Sequence, residues 1–517
     1  MMMQKMKSIY LTVLMVFVCL VSAFGQWHEP KRVTEKFFPE PDIEINTPAF
    51  QKRRGFTTYE EMNVFLNNHI ARNPLLLQME IVGKTQKGKD IPLVTIRKKS
   101  GNTDKLNVLF FARVHGDEPA GTESMLYFID RIVNDPSLGY LLDKLNFFIM
   151  PMVNIDGGES FSRRTANNID MNRDQSKLQT PEAKALHEVV NKIRPHVSVD
   201  FHEFQPLRTD FLKIAPTKAL TTPWDVMLLY SGNPNVPSAL RNTVDNLFLV
   251  NIRKKLDEQH LTHHTYYSSS NHYGKLSIPI GGASPRSTSN AMALKNIISL
   301  LVETRGIHLG RTSLKRRTYG GYLAALAIAE TAYRNRAEVL SAIEEAQNDR
   351  SDIAVRFRSE KVADYTLPFL DLIRNELVDV TIDASFNTRS TPTQTRPLPD
   401  AYYILPTEYD AIRILQNMGV EVTMLPTAVE IEAEVHTVLS AVESASEIGG
   451  IYPVSVRVET TKRKVTLPAG TFKVDTRQKH IRAATVLLEP ESSNGFVNYR
   501  VIEVETGNDV PIYRFTK

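Results

Sequence analysis

The first chemistry suggested by the sequence is metal binding by His115 and Glu118, which follow the apolar run Leu106–Ala112. An imidazole and a carboxylate at this spacing can bind one ion from a single turn, and zinc accepts nitrogen and oxygen ligands of this kind. The apolar run predicts a strand covered on both faces. Sites in open α/β sheets lie beyond the carboxyl ends of strands, which is where the pair falls. Alone, the pair also fits a polar loop, so the residues downstream decide.

Three further apolar runs are predicted strands, and each leads into a residue that can do chemistry. The runs are Leu145–Val153, Val197–Phe201 and Ile297–Val302. They are followed by Asn154, His202 and Glu303, in that order. Helical patterns at Gly121–Asn134 and Thr180–Lys192 separate the strands. Alternating strands and helices predict an α/β fold, with a mixed, mainly parallel sheet and helices on both faces.

His115, Glu118 and His202 can supply three zinc ligands and leave a fourth position for water. That number of protein ligands is typical of a catalytic zinc site rather than a structural one. Glu303 ends a strand of its own, and a carboxylate near zinc-activated water can act as a general base. These four residues together predict metal-assisted hydrolysis.

The segment from Arg163 to Arg173 adds cationic and amide groups, among them Asn172. One arginine can stabilise the oxyanion of a tetrahedral intermediate, and a second can hold a carboxylate through a bidentate pair. The sequence has no His-Glu-x-x-His, no Gly-x-Ser-x-Gly elbow and no phosphate-binding loop, so other hydrolase classes fit less well.

In these motifs the chain resembles the zinc metallocarboxypeptidases of the carboxypeptidase A/B type. The family pattern is His-x-x-Glu, Asn-Pro-Asp-Gly, an Arg followed by Asp-x-Asn-Arg, a lone His after a strand, and a late Glu. The matching positions are 115–118, 154–157, 163–173, His202 and Glu303. Ile155 stands at the family's proline and Asn168 at its glycine. The resemblance covers residues 56–312, and Leu301–Gly306 is similar to the bacterial exported branch of the family.

The resemblance implies a role for each matching residue. His115, Glu118 and His202 are the expected ligands of one Zn²⁺, and Glu303 is the expected general base. Arg163, or Arg164 if the alignment shifts by one, is expected to polarise the scissile carbonyl. The other implied roles are carboxylate binding by Asn172 and Arg173, and orientation of His115 by Asp170 from outside the ligand set. The family's substrate-capping tyrosine has three candidates, Tyr273, Tyr266 and Tyr267.

The composition is that of a globular protein, with 517 residues, 42% hydrophobic and 23% charged. The net charge of +4 gives no support for nucleic-acid binding. Lys5 and Lys7 precede the apolar stretch Ile9–Val21, and the small residues Ala23 and Gly25 follow it. This pattern predicts a cleaved export signal over residues 1–25, hence a periplasmic or secreted protein without membrane attachment after cleavage. Cys19 is the only cysteine and lies within that signal, so no disulfide is expected.

The remaining chain is predicted to divide into an N-terminal arm (26–55), a catalytic domain (56–350), a connecting segment (351–399) and a small β-rich C-terminal domain (400–517). Residues 387–400 are rich in Thr, Pro and Arg, which is typical of an interdomain linker. Period-two alternation at Val429–Val435 and Val454–Val458 predicts the strands of the last domain.

The sequence therefore predicts an exported zinc carboxypeptidase that acts on peptides. Two alternatives stay open. One is a zinc amidohydrolase acting on N-acyl amino acids or cell-wall peptides with nearly the same ligands. The other is a non-catalytic peptide- or glycan-binding protein on the same fold.

Overall fold

The computed structural model describes residues 29–98, 104–211, 219–272, 275–448 and 450–517. Its largest sheet has eight strands. These strands are β1 (Leu77–Lys84), β2 (Asp90–Ile96), β3 (Leu106–Ala112), β4 (Leu145–Met150), β5 (Val197–Phe204), β7 (Val226–Tyr230), β8 (His263–Thr265) and β11 (Ile298–Arg305). Their order across the sheet is β1-β2-β4-β3-β5-β11-β7-β8.

The centre of this sheet is parallel: β4, β3, β5 and β11 run in one direction. The first two strands pair antiparallel to their neighbours, whereas β7 pairs antiparallel to β11 and parallel to β8. Strand β3 is almost wholly buried, because its apolar residues face packed layers on both sides. The predicted mixed, mainly parallel sheet is confirmed, and β3 has the predicted bounds.

Helices pack around the sheet. They are α1 (Lys31–Phe37), α2 (Tyr59–Arg72), α3 (Ala120–Asn134), α4 (Ile155–Ser160), α5 (Pro181–Ile193), α6 (Ser238–Thr243), α7 (Leu249–Asp257), α8 (Thr288–Ala293), α9 (Leu314–Arg334) and α10 (Arg336–Asn348). Thr58 caps α2, and Glu61 returns the bond to complete a capping box. Helices α3 and α9 lie so close together that a Cβ atom on Gly321 would come within 2.3 Å of the Ser124 hydroxyl.

A second sheet has five strands in the order β6-β12-β13-β10-β9. These are β6 (Leu220–Thr221), β9 (Ser270–His272), β10 (Lys275–Ile280), β12 (Ile353–Asp371) and β13 (Glu376–Arg396). The predicted linker at 387–400 is wrong for most of its length, because residues up to Arg396 belong to β13 and pair with β12. Both faces of this long hairpin carry polar side chains, and Thr-rich segments favour extended structure.

The third sheet is antiparallel and lies at the C-terminus, as the β-rich prediction for residues 400–517 expected. Its order is β15-β18-β14-β19-β16-β17. The strands are β14 (Ala401–Ile404), β15 (Thr423–Met424), β16 (Val429–Glu443), β17 (Val454–Leu467), β18 (Phe472–Asp475) and β19 (Asp509–Phe515), with helices α11 (Tyr409–Asn417) and α12 (Ile481–Leu488). A loop from Glu489 to Asn508 leads from α12 to β19.

The predicted export signal, residues 1–25, lies outside the described residues. Within the described part of the chain, none of the helices combines the length and apolar character needed to cross a membrane. Part of the predicted N-terminal arm is anchored, because Glu29 forms a buried ion pair with Arg305. The division of the chain into an arm, a catalytic domain and a C-terminal domain stays a prediction.

Candidate active site

Two of the predicted site residues face each other on neighbouring parallel strands. His202 of β5 and Glu303 of β11 are direct register partners. Both strands continue past the predicted ends at residues 201 and 302, because their backbone pairing extends through the site to Phe204 and Arg305. Adjacent strands lie about 4.8 Å apart, so the pairing holds the two side chains close together.

His115 and Glu118 lie in the turn that follows β3. This turn rests directly on the start of α4: a Cβ atom on Gly116 would lie 2.0 Å from the carbonyl carbon of Gly157. Only glycine permits such a close approach of two backbones. Asn154 joins the same two turns, because its amide nitrogen donates to the Val114 carbonyl at 3.3 Å.

His115, Glu118 and His202 form a tight triangle of possible ligand atoms, and all three are buried. His115 Nδ1 lies 2.7 Å from Glu118 Oε1, and His202 Nδ1 lies 2.7 Å from Glu118 Oε2. The two Nδ1 atoms are 3.1 Å apart. Zinc ligands in a tetrahedral site are roughly 3.3 Å from one another for bonds of about 2.0 Å. The donor set and its spacing therefore fit a zinc ion.

The second nitrogen of each histidine meets a carboxylate. His115 Nε2 lies 3.1 Å from Asp170 Oδ1, and His202 Nε2 lies 2.6 Å from Asp200 Oδ2. A carboxylate at this position fixes the ring orientation and makes the other nitrogen a better ligand. The structure thus brings Asp170 to the expected place and adds Asp200, which the sequence analysis missed. The available signal was an acid two residues before His202, on the same face of a strand.

Glu303 lies beside the triangle, with its carboxyl group largely withdrawn from solvent. Burial raises the pKa of Glu303 to about 7, and the nearby Glu118 carboxylate adds to that shift. Its Oε2 has no hydrogen-bond partner among the described side chains and backbone groups. A buried carboxylate with a free oxygen and a raised pKa has the properties required of a general base near neutral pH.

Arg163, rather than Arg164, stands over the ligand triangle. Its Nη1 lies 3.1 Å from His115 Nδ1, and its Nε donates to Asp170 Oδ2 at 3.2 Å. The Arg164 guanidinium instead donates to the Asn168 carbonyl on the exposed side of the loop. Of the two arginines, Arg163 is therefore the one placed to contact a substrate carbonyl.

Asn172 and Arg173 line the same cleft as the triangle. The Asn172 side-chain oxygen accepts from the Thr288 backbone N–H at 2.9 Å and from its hydroxyl at 3.1 Å. Thr288 also donates to Asp200, so the amide and the His202 orientation are parts of one network. The Arg173 guanidinium is anchored by donation to the Asn172 carbonyl at 2.6 Å.

The cleft has a volume of about 800 Å³. Of the three tyrosine candidates, Tyr266 lines it, whereas Tyr267 is buried elsewhere and accepts a bond from Trp224. Tyr273 lies outside the described residues. Burial, together with the Glu303 charge, raises the pKa of Tyr266 to about 12, so its hydroxyl keeps its proton.

One wall of the cleft is uncharged. Gly282 packs near Leu229 and Asn290, and Leu229 is the register partner of Leu301 on β11. Leu301 lies two residues before Glu303, on the same strand face. A substrate side chain entering here meets neutral and mostly apolar groups.

Two features of the neighbouring motifs are structural rather than catalytic. The Asp156 carboxylate accepts from the Thr85 hydroxyl at 3.0 Å and from the Lys87 N–H at 2.9 Å, which ties the β1–β2 turn to α4. Arg113, with a φ of 57°, donates to the carbonyls of Gly116 and Gly158 at 3.1 and 3.0 Å. The sequence analysis missed Arg113, because its left-handed conformation has no signature outside glycine and asparagine.

Comparisons with known proteins find similarity to carboxypeptidases. Residues 62–309 match a family model described as zinc carboxypeptidase. Carboxypeptidase 2 of Trichophyton rubrum is 29% identical over 510 residues, covering 94% of this chain and 94% of that protein. Carboxypeptidase SOL1 of Arabidopsis thaliana is 27% identical over 171 residues, covering 30% of this chain and 35% of that protein.

Among solved structures, thrombin activatable fibrinolysis inhibitor is similar with a TM-score of 0.44 and 14% identity, covering 59% of this chain and 80% of that chain. Several relatives that match along most of the chain are fungal. Membership of a bacterial exported branch is therefore not confirmed and stays a prediction.

Proposed function

We propose that this metallopeptidase, whose residues 62–309 match the zinc carboxypeptidase family model, removes the C-terminal residue of peptides with one zinc ion. The ligands are His115, Glu118 and His202. The observation that carries the proposal is the buried triangle of their donor atoms beside Glu303, in a cleft that also contains Arg173. Zinc, when bound, supplies a positive charge that polarises a carbonyl and lowers the pKa of a water nucleophile.

The remaining roles in the reaction belong to side chains of the protein. Glu303 accepts the proton of the attacking water and later delivers it to the leaving amine. The Arg163 guanidinium donates to the oxygen that becomes negative in the transition state. Arg173 forms a paired contact with the free carboxylate, and Asn172 adds an amide donor. This contact fixes the scissile bond relative to Glu303.

The neutral wall formed by Gly282, Leu229 and Leu301 supports a preference for uncharged C-terminal side chains. A lysine or glutamate there would lose its hydration without gaining a partner of opposite charge. Arg286 is buried, and its guanidinium carbon lies 4.5 Å from the centroid of the Tyr499 ring, so it is engaged there rather than with an acidic substrate side chain. The proposed site of action is outside the cytoplasm, which the N-terminal signal pattern supports.

The experiment compares one peptide with a free C-terminal carboxylate and the same peptide amidated, in the parent and in Arg173→Ala. The parent should cleave the free acid far faster, and Arg173→Ala should lose most of that preference. Arg164→Ala is the matched control, because its side chain faces away from the triangle. Equal rates on acid and amide in the parent would contradict the proposal and favour an endopeptidase or an amidohydrolase.

A further inference from the structure

The loop that follows α12, Glu489 to Asn508, reaches the catalytic region through Tyr499. This ring is buried, and its hydroxyl accepts a hydrogen bond from Arg286 Nη1. The Arg286 guanidinium carbon also lies 4.5 Å from the ring centroid, and Lys177 Nζ lies 5.7 Å from it. Tyr499 therefore offers two favourable contacts to a buried cation, one to its face and one to its hydroxyl oxygen.

Arg286 in turn holds the backbone of the carboxylate-binding segment. Its Nε donates to the Arg173 carbonyl at 3.1 Å, and its own carbonyl accepts from the Gln175 N–H at 3.3 Å. The segment 173–175 is thus fixed from two sides by one residue. Because Arg286 depends on Tyr499 for partners, the position of Arg173 depends on Tyr499 as well.

The same loop lines the cleft directly. Ser493 and Asn494 face it, together with Phe357 and Asn387 of the β12–β13 hairpin. The Asn494 N–H donates to the Asn498 side chain at 3.0 Å. The Asn498 amide donates to the Val454 carbonyl at 2.8 Å, so the tip of the loop is tied to β17.

We propose that residues 493–499 form the end wall of the cleft beyond Arg173, and that Tyr499 is a positioning residue that fixes Arg173 through Arg286. The proposal rests on the proposed carboxypeptidase function and adds a role for the C-terminal sheet. A substrate that ends at Arg173 fits in front of this wall. A substrate peptide that continues past this position would collide with the wall. The wall and the Arg173 guanidinium therefore together select peptides that end there.

Tyr499 does not touch the reacting atoms, so its loss should change recognition more than chemistry. In Tyr499→Ala, Arg286 loses both contacts, and the Arg173 backbone loses a fixed neighbour. We expect KM for a free-acid peptide to rise roughly tenfold or more, since small displacements of a positioning group are costly. The kcat should fall less, and the preference for the free acid over the amide should shrink by a similar factor.

Tyr499→Leu, which removes the ring and the hydroxyl but fills more of the space, serves if the alanine variant does not fold. Tyr499→Phe is the conservative variant. It keeps the ring over Arg286 and removes only the hydroxyl, so it should restore most of the acid preference lost in Tyr499→Ala. Tyr409→Ala is the matched control. Tyr409 also belongs to the C-terminal part of the chain, at the start of α11, but the residue is 66% exposed. This control should match the parent in KM and in acid preference.

The measurement is kcat and KM for the acid and amide peptides in the zinc-loaded parent and in each variant, with thermal unfolding as a check on folding. A folded Tyr499→Ala, or failing that a folded Tyr499→Leu, with the acid preference and KM of the parent would overturn the proposal. A parent without any acid preference would instead refute the proposed carboxypeptidase function. The two failures are therefore distinguishable.

Discussion

Buried histidines occur at both ends of the eight-stranded sheet, in opposite electrostatic surroundings. At the carboxyl ends of the strands, His202 lies between the carboxylates of Asp200 and Glu118. At the amino ends, His187 lies in α5, where its Nδ1 is 3.2 Å from Lys295 Nζ. Lys295 itself is buried just before β11 and also donates to the Asn191 side chain at 3.1 Å.

The two environments move the histidine pKa values in opposite directions. Burial lowers the pKa of His187, and the Lys295 charge lowers it further. Burial also acts to lower the pKa of His202, but the carboxylates of Asp200 and Glu118 outweigh it and hold the pKa well above its usual range. Burial alone therefore does not identify a ligand histidine. The proposed metal site is distinguished by a carboxylate at each ring nitrogen, Glu118 beside Nδ1 and Asp200 beside Nε2.

The largest expected effect is on zinc binding, which should be lost when the histidine at the carboxyl ends of the strands is replaced and kept when the one at the amino ends is replaced. His202→Ala removes one of three ligands, so the protein should bind less than one zinc per chain and lose peptidase activity. His187→Ala should keep one zinc per chain, because the His187 ring contacts Lys295 and Gln175 instead of the ligand triangle. Elemental analysis of both proteins after dialysis checks this. One zinc per chain in His202→Ala would contradict the proposed role of His202 as a ligand.

The next effect separates metal binding from proton transfer. Glu303→Gln keeps the size of the side chain and removes the base, so turnover should fall by roughly 10²-fold or more. Zinc content should stay at one per chain, because Glu303 is outside the triangle. Steady-state kinetics and elemental analysis on the same preparation give both values. Turnover equal to that of the parent would show that the base lies elsewhere.

A smaller effect concerns the orienting carboxylate. Asp200→Asn keeps the shape of the side chain but weakens the contact to His202 Nε2, so zinc affinity should fall by about 10- to 100-fold. Asp156→Asn is the control, because Asp156 binds the β1–β2 turn and not a ligand. Competition with a chromophoric chelator measures both affinities. Equal losses in the two variants would mean that the carboxylate acts only on folding.

The smallest effect tests the other end of the sheet. Burial lowers the pKa of Lys295 to about 7, whereas an unfolded lysine has a pKa of about 10.4. Between these values the unfolded state binds more protons, so this group makes the protein more stable as pH rises from about 7 to about 10. Lys295→Met should lack that contribution and should cleave peptides at the parental rate at neutral pH.

Denaturant unfolding of the parent and Lys295→Met at several pH values checks the prediction, since other titrating groups cancel in the difference. The stability of the parent relative to the variant should increase with pH across this window. Parallel curves would show that Lys295 does not titrate differently in the folded protein.

Much of the catalytic region was predictable because its signals are local. The apolar run of β3, the His-x-x-Glu turn, and His202 and Glu303 at the ends of apolar runs all follow from residue type and order. The contact between Gly116 and Gly157 was not predictable, since it depends on how two distant turns pack. The linker prediction at 387–400 was wrong for a different reason, since an exposed hairpin strand and a linker have similar composition.

The contribution of the C-terminal sheet to the cleft was also hidden in the sequence. Tyr499 and Arg286 are separated by more than two hundred residues, and neither lies in a motif. Their contact arises from the packing of two segments that are far apart in the chain. A segment without recognisable chemistry can therefore still shape a substrate cleft.

The register pairing of His202 with Glu303 bears on how this enzyme could be redesigned. The spacing between the proposed ligand and the proposed base is set by the hydrogen-bonded distance between two parallel strands, about 4.8 Å in any sheet. The neutral wall and the 493–499 loop come from other segments and do not set that distance. Grafting different loops at these two places should therefore diversify the accepted peptides while the hydrolytic core is inherited unchanged, which makes the scaffold suited to directed evolution of specificity.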